Sequence, residues 1–233
     1  MANIDKLFYS LFLLLIVIFL AYGPIQSLTG EDGPVENLSA LFWFSGACVS
    51  LFGLRQMGGV GVRRNFFVMW LLLCFVACGE EVSWGQRILG IETPEYIAKH
   101  NKQGEFNLHN LYVLSAKTGL RDFLRTGEFS YSQIFNAPTL FKIFIGTYFL
   151  VLPLISLNAQ AKGTLISLGY VVPEKYSLIC FWLEVTLIHV TFLFQTQPPD
   201  FHDTAEIVEM LFSYVVLSYV LFVYKSFLSK GIQ

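Results

Sequence analysis

Residues 66–84, FFVMWLLLCFVACGEEVSW, carry no charged side chain until Glu80 and Glu81. The run is apolar along its whole length instead of at period 2 or 3.6, so every face of a helix built from it meets an apolar medium. A bilayer-spanning helix needs about 20 mostly apolar residues. Five further runs meet that description: Leu7 to Tyr22, Leu38 to Leu54, Pro138 to Leu157, Tyr176 to Gln195 and Ala205 to Tyr224. The expected fold is therefore all-α, a single membrane-embedded domain over residues 1–233 with about six transmembrane helices. The first run, preceded by Lys6, is read as a retained helix and not as a signal peptide.

Composition agrees. Of 233 residues, 55% are hydrophobic, 16% aromatic and 14% charged, against roughly 25% charged in a soluble domain. The net charge of -2 and the absence of an aromatic-plus-basic stripe leave no nucleic-acid surface. The four cysteines, Cys48, Cys74, Cys78 and Cys180, all fall inside apolar runs and read as small packing residues. Cys74 and Cys78 share a helix face, but no further thiolate or histidine pair accompanies them.

Lysine and arginine in short loops set the orientation. Arg55, Arg63 and Arg64 lie between the second and third runs, Lys162 and Lys175 between the fourth and fifth, and Lys225 and Lys230 after the sixth. Those segments are expected in the cytoplasm with both termini, and the protein in the inner (plasma) membrane. The long connection over about 86–137 is expected outside. It is too long for a bare linker. Within it Thr93-Pro94-Glu95 predicts a helix start, with threonine as cap and proline at the first position, so a short interfacial helix is expected from Pro94 to about Asn101.

Ionisable groups in or beside a span are costly unless paired or wet, which makes them the first candidates for function. If the helix of the third run continues, Glu80, Trp84 and Arg87 fall on one face, with Arg87 as an internal partner for Glu80. The bland alternative is a helix end in headgroup water with Trp84 in the aromatic belt. In the sixth run His202, Glu206 and Glu209 share a stripe near the outer end, beside Asp203. A helix N-terminus decorated with acids explains Asp203 and Glu206 better than Glu209, a turn deeper. Glu184 sits in the middle of the fifth run and must be neutral, paired or facing water. His189 lies five residues on and need not share its face. His109 stands in the polar cluster Asn107-Leu-His-Asn110.

Three functions fit. The first is a membrane enzyme whose outer cluster holds a divalent metal ion and acts on a lipid or lipid-linked substrate, with His109, His202, Glu206 and Glu209 as ligands and Glu80 or Glu81 as general base. The second is a proton- or cation-coupled transporter using Glu184, His189 and Glu209. The third is an accessory subunit joined to another membrane protein. There is no phosphate loop, Gly-x-Ser-x-Gly elbow, His-Glu-x-x-His or Cys-x-x-Cys.

The runs Glu80-Glu-Val-Ser-Trp-Gly-Gln-Arg87, Glu92-Thr-Pro-Glu95 and Glu105-Phe-Asn-Leu-His-Asn110 resemble a pattern in uncharacterised bacterial multi-pass membrane proteins. The resemblance covers about thirty residues and carries no activity with it. The intramembrane hydrolases related to alkaline ceramidase are a poorer comparison, because their Ser-x-x-x-His and His-x-x-x-His helices have no counterpart here.

Overall fold

The computed structural model of the chain describes residues 9–15, 33–56, 61–102, 104–108, 110–112, 114, 131, 135–194 and 201–229. Among the described residues all regular structure is helical, apart from an isolated antiparallel bridge between Asn101 and Leu111. A helical segment at 9–15 is followed by α1 (Pro34–Gln56), α2 (Val62–Glu81), a 3-10 turn (Ser83–Gly85), α3 (Gln86–Leu89) and α4 (Glu95–His100). Then come α5 (Ala137–Gly146), a π-turn (Thr147–Val151), α6 (Leu152–Ile155), α7 (Ala159–Ser167), α8 (Lys175–Phe194) and α9 (Phe201–Ser229). Two helical segments, Pro34–Gln56 and Glu206–Leu228, are long and apolar enough to cross a membrane. The chain divides into two compact units, one formed by residues up to Cys78 and from Asn158 onward, the other by Gly79–Leu157.

In the first unit α1 packs along α9, and α8 also contacts α9. The face α1 turns inward holds Ser39, Ala40, Trp43, Gly46, Ala47, Ser50 and Gly53, while Leu41, Phe44, Leu51 and Phe52 stay exposed. A helix on a soluble core does the reverse. Small residues inward let backbones approach closely, the packing used where the surroundings are themselves apolar. The approach here is tight: a Cβ on Gly53 would lie 2.6 Å from the Phe67 ring, and one on Gly46 would lie 3.0 Å from Cys74 Sγ. Between α2 and α9, the rings of Phe66 and Trp70 meet Tyr219 edge-on at 5.6 and 5.7 Å. Tyr219 is fully buried, and its hydroxyl donates to the Val171 carbonyl, which satisfies the polar end of the ring.

Several helix bounds differ from those read in the sequence. α1 begins at Pro34, where proline suits the first turn and Glu36 complements the dipole. The fourth run is interrupted by the π-turn just before Pro153, whose missing N–H and ring cannot continue an α-helical ladder undisturbed. α2 stops at Glu81, so the face Glu80, Trp84, Arg87 is not formed by a continuing helix. Most of the first run, Leu7 to Tyr22, lies outside the described residues.

Candidate functional site

The second unit opens where α2 ends. Ser83 and Trp84 have φ of 45° and 55°, and Gly85 follows at 79°. For an L-residue with a Cβ this left-handed backbone costs roughly 1–2 kcal/mol, so two adjacent non-glycine residues keep it only if other contacts hold them. Side chains supply those contacts. Trp84 Nε1 donates to Glu80 Oε1 at 2.7 Å, and Ser83 Oγ donates to Glu105 Oε2 at 2.5 Å. Trp84 therefore does meet Glu80, by a chain reversal and not by helical spacing. Gly79 makes room for the indole: a Cβ there would sit 2.9 Å from the Trp84 ring.

The loop that follows α4 is tied to the same turn. Glu80 Oε2 accepts the backbone N–H of Leu108 at 2.7 Å, and Gln86 Oε1 accepts that of Phe106 at 2.7 Å. Asn107 Nδ2 donates to Glu105 Oε2 at 3.2 Å. Asn101 Nδ2 donates to both the carbonyl and Oδ1 of Asn107, each at 2.8 Å. Ser83, Asn101 and Asn107 are all buried, so this is an interior polar network in which each member has a partner. Thr93, expected to cap α4, instead accepts from Gln86 Nε2; the cap position is Pro94, with no side-chain cap. Leu89, Ile91 and Tyr96 are exposed in the segment after the turn, alongside the exposed charges of Glu92, Glu95 and Lys99.

The candidate residues are thus distributed as follows. Glu80 and Trp84 are bonded to each other, and Glu80 also holds the residue preceding His109. Glu81 is half-buried at the last position of α2. Glu206 is half-buried and Glu209 exposed, both on α9. His109 and the side chains of Arg87, His189 and His202 lie outside the described residues. Among the described residues no group of three or more His, Cys, Asp or Glu is arranged to hold a metal ion. Ser83, Gln86, Asn101, Glu105 and Asn107 had not been singled out as site residues, although most stand in the quoted motif. Their signal was a polar side chain at nearly every motif position that was not apolar or glycine.

Glu184 belongs to the first unit. It is fully buried in α8, and among the described residues neither carboxylate oxygen has a hydrogen-bond partner. Comparison of the chain with protein-family models, curated proteins and solved structures finds no match.

Proposed function

We propose that the chain is a six-span inner-membrane protein with both termini cytoplasmic, and that the fold around Ser83 is an enzymatic site on the outer face. Its substrate is a lipid or a lipid-linked molecule. The membrane reading is supported by α1, which buries serine, glycine and alanine and exposes leucine and phenylalanine. The long helices Pro34–Gln56 and Glu206–Leu228 add to it.

The observation that carries the site is the left-handed pair Ser83 and Trp84, held by Glu105 and Glu80. Strained backbone persists where the surroundings over-determine it, and such places cluster at sites that need fixed geometry. Here two carboxylates, Glu105 and Glu80, hold the strained pair. Both oxygens of Glu80 accept a hydrogen bond, one from the Trp84 indole and one from the Leu108 backbone, so the carboxylate is held in one orientation, as a general base must be. Glu81 beside it is the second candidate base. His109, whose backbone neighbour Leu108 is held by Glu80, is the candidate ligand for a divalent metal ion. A bound metal would supply Lewis-acid polarisation or an activated water. Leu89, Ile91 and Tyr96, exposed among the charged side chains Glu92, Glu95 and Lys99, give this segment the mixed apolar and charged surface that suits the headgroup region.

Metal analysis of purified full-length protein tests this reading. A divalent ion bound by the wild type and lost in His109→Ala supports it. Metal-free wild type that copurifies with another membrane protein would favour the accessory-subunit reading instead.

A further inference from the structure

A cleft in the first unit reaches Cys180, four residues before Glu184 on α8. It runs between α8 and α9, lined by Glu174, Ser177 and Cys180 on one side and by Tyr214, Ser218 and Lys225 on the other. It contains room for water of ≈ 20 Å³, above the roughly 10–15 Å³ that one molecule requires. Ser177, Cys180 and Glu184 occupy positions i, i+3 and i+7 of α8, one face of the helix, and all three are buried. Cys180 forms part of the cleft wall, and Glu184 follows it one helical turn along the same face of α8. The ring contact between Phe181 and Phe212 fixes the antiparallel level of α8 on α9, beyond which α9 presents buried Met210 and Leu211.

We propose that Glu184 is a proton-binding site inside the bundle, loaded and unloaded through this cleft. A buried carboxyl group whose oxygens make no hydrogen bond among the described residues is satisfied by a proton of its own. Ser177, Ser218 and Tyr214 place hydroxyls in the cleft wall, which with a water in the space between them would carry a proton as far as Cys180. The step is balanced within the protein and solvent: one O–H bond forms at Glu184, one breaks at a hydronium ion in the cleft, and no electrons move. The other titratable groups near the path are Glu174 and Cys180 on the α8 side, Tyr214 and Lys225 on α9, and Tyr9 of the segment at 9–15, also in the cleft wall. By the Phe181–Phe212 contact, Glu209 and Glu206 on α9 lie within about one helical turn of the level of Glu184, on the side away from the cleft. The cleft mouth carries Lys225 and adjoins Lys175, so it opens to the cytoplasm in the six-span topology; only this sidedness rests on that reading.

Infrared difference spectroscopy of the full chain in phosphatidylethanolamine–phosphatidylglycerol vesicles, between acid and alkaline buffer, tests the proposal. A carboxylic-acid C=O band should titrate in the wild type, vanish in Glu184→Gln and move in Glu184→Asp. Exchange into D2O should shift the same band, and Ser218→Trp or the smaller Ser218→Leu, by filling the cleft, should slow that shift. The proposal is overturned if the wild-type band is absent, if it survives in Glu184→Gln, or if both cleft-filling variants exchange at the wild-type rate. A change driven by sodium ions without any acid band would overturn it in favour of a cation site. Helix content measured on each variant separates loss of the band from loss of the fold. The band is read without reference to sidedness, so the result stands apart from the topology.

Discussion

Glu80 Oε2 accepts the backbone N–H of Leu108 at 2.7 Å, tying the last turn of α2 to the residue that precedes His109. One carboxylate thereby joins two parts of the sequence motif that are twenty-eight positions apart. The other oxygen takes the indole N–H of Trp84, so the strained turn and the returning loop share an anchor.

Removing that anchor should loosen the loop. Hydrogen bonds to a charged acceptor contribute about 1.5–3 kcal/mol each when well sheltered. These two are exposed, so Glu80→Ala is expected to cost about 1–2 kcal/mol in total, at the low end of that scale. Amide exchange at Leu108 is the sharper measurement. It should lose its protection in Glu80→Ala and keep part of it in Glu80→Gln, whose one carbonyl oxygen can still accept. Unchanged exchange in both variants would show that the loop is held without Glu80.

Gly79 tests the indole's place. A methyl group 2.9 Å from the Trp84 ring cannot be accommodated without a shift, and overpacking of this kind costs typically about 1–3 kcal/mol. Gly79→Ala should therefore lower the melting temperature and change Trp84 fluorescence together. A normal melting temperature with a displaced indole would mean that the turn does not depend on that contact.

The turn itself can be tested at Ser83 and Gly85. Ser83→Ala removes the hydroxyl donor from half-buried Glu105, whose Oε2 still accepts from Asn107, so the loss is that of one net hydrogen bond, about 0.5–1.5 kcal/mol. Gly85→Ala places a Cβ at φ 79°, at a cost of roughly 1–2 kcal/mol. Denaturant melts of both variants should move in the destabilising direction by comparable amounts. Tolerance of Gly85→Ala would argue that the backbone at 85 readily leaves the left-handed region.

The all-helical class was legible because FFVMWLLLCFVACG leaves no polar face for water, and the same logic located the other apolar runs. The end of α2 was not legible. Neither serine nor tryptophan signals positive φ by its propensity; the turn exists because Glu80, Glu105 and Gly79 jointly favour it, and those contacts span distances that periodicity does not report. Helical spacing puts Glu80, Trp84 and Arg87 on one face with Arg87 as the partner of Glu80, but the helix ends at Glu81 and the bond Glu80 makes is to the Trp84 indole. Glu105 and Asn107 stand in the motif without signalling a site, since a buried polar network looks, residue by residue, like an ordinary polar loop. Glu184 was readable because a carboxylate amid Phe181-Trp-Leu and Val-Thr-Leu has no local partner. Its lack of a partner among the described residues is information only the fold could add.

The six-span topology is tested by sided labelling. Cysteines introduced at Gly59 and at Asp200, in a background without the native cysteines, should react with a membrane-impermeant thiol reagent from opposite sides of intact cells. Reaction from the same side would exclude the arrangement derived from the lysine and arginine loops.

Catalysis at the Ser83 turn is the central claim, and lipid turnover is the measurement that reaches it most directly. Full-length protein in nanodiscs made from radiolabelled bacterial inner-membrane lipid extract, supplied with divalent metal, should convert at least one lipid or lipid-linked species. Conversion should fall by about 10²–10⁴-fold in Glu80→Gln or in Glu81→Gln, whichever carries the proton, as loss of a general base typically does. No conversion of any lipid species by folded wild type, or conversion that survives in both glutamate variants and in His109→Ala, would contradict the account.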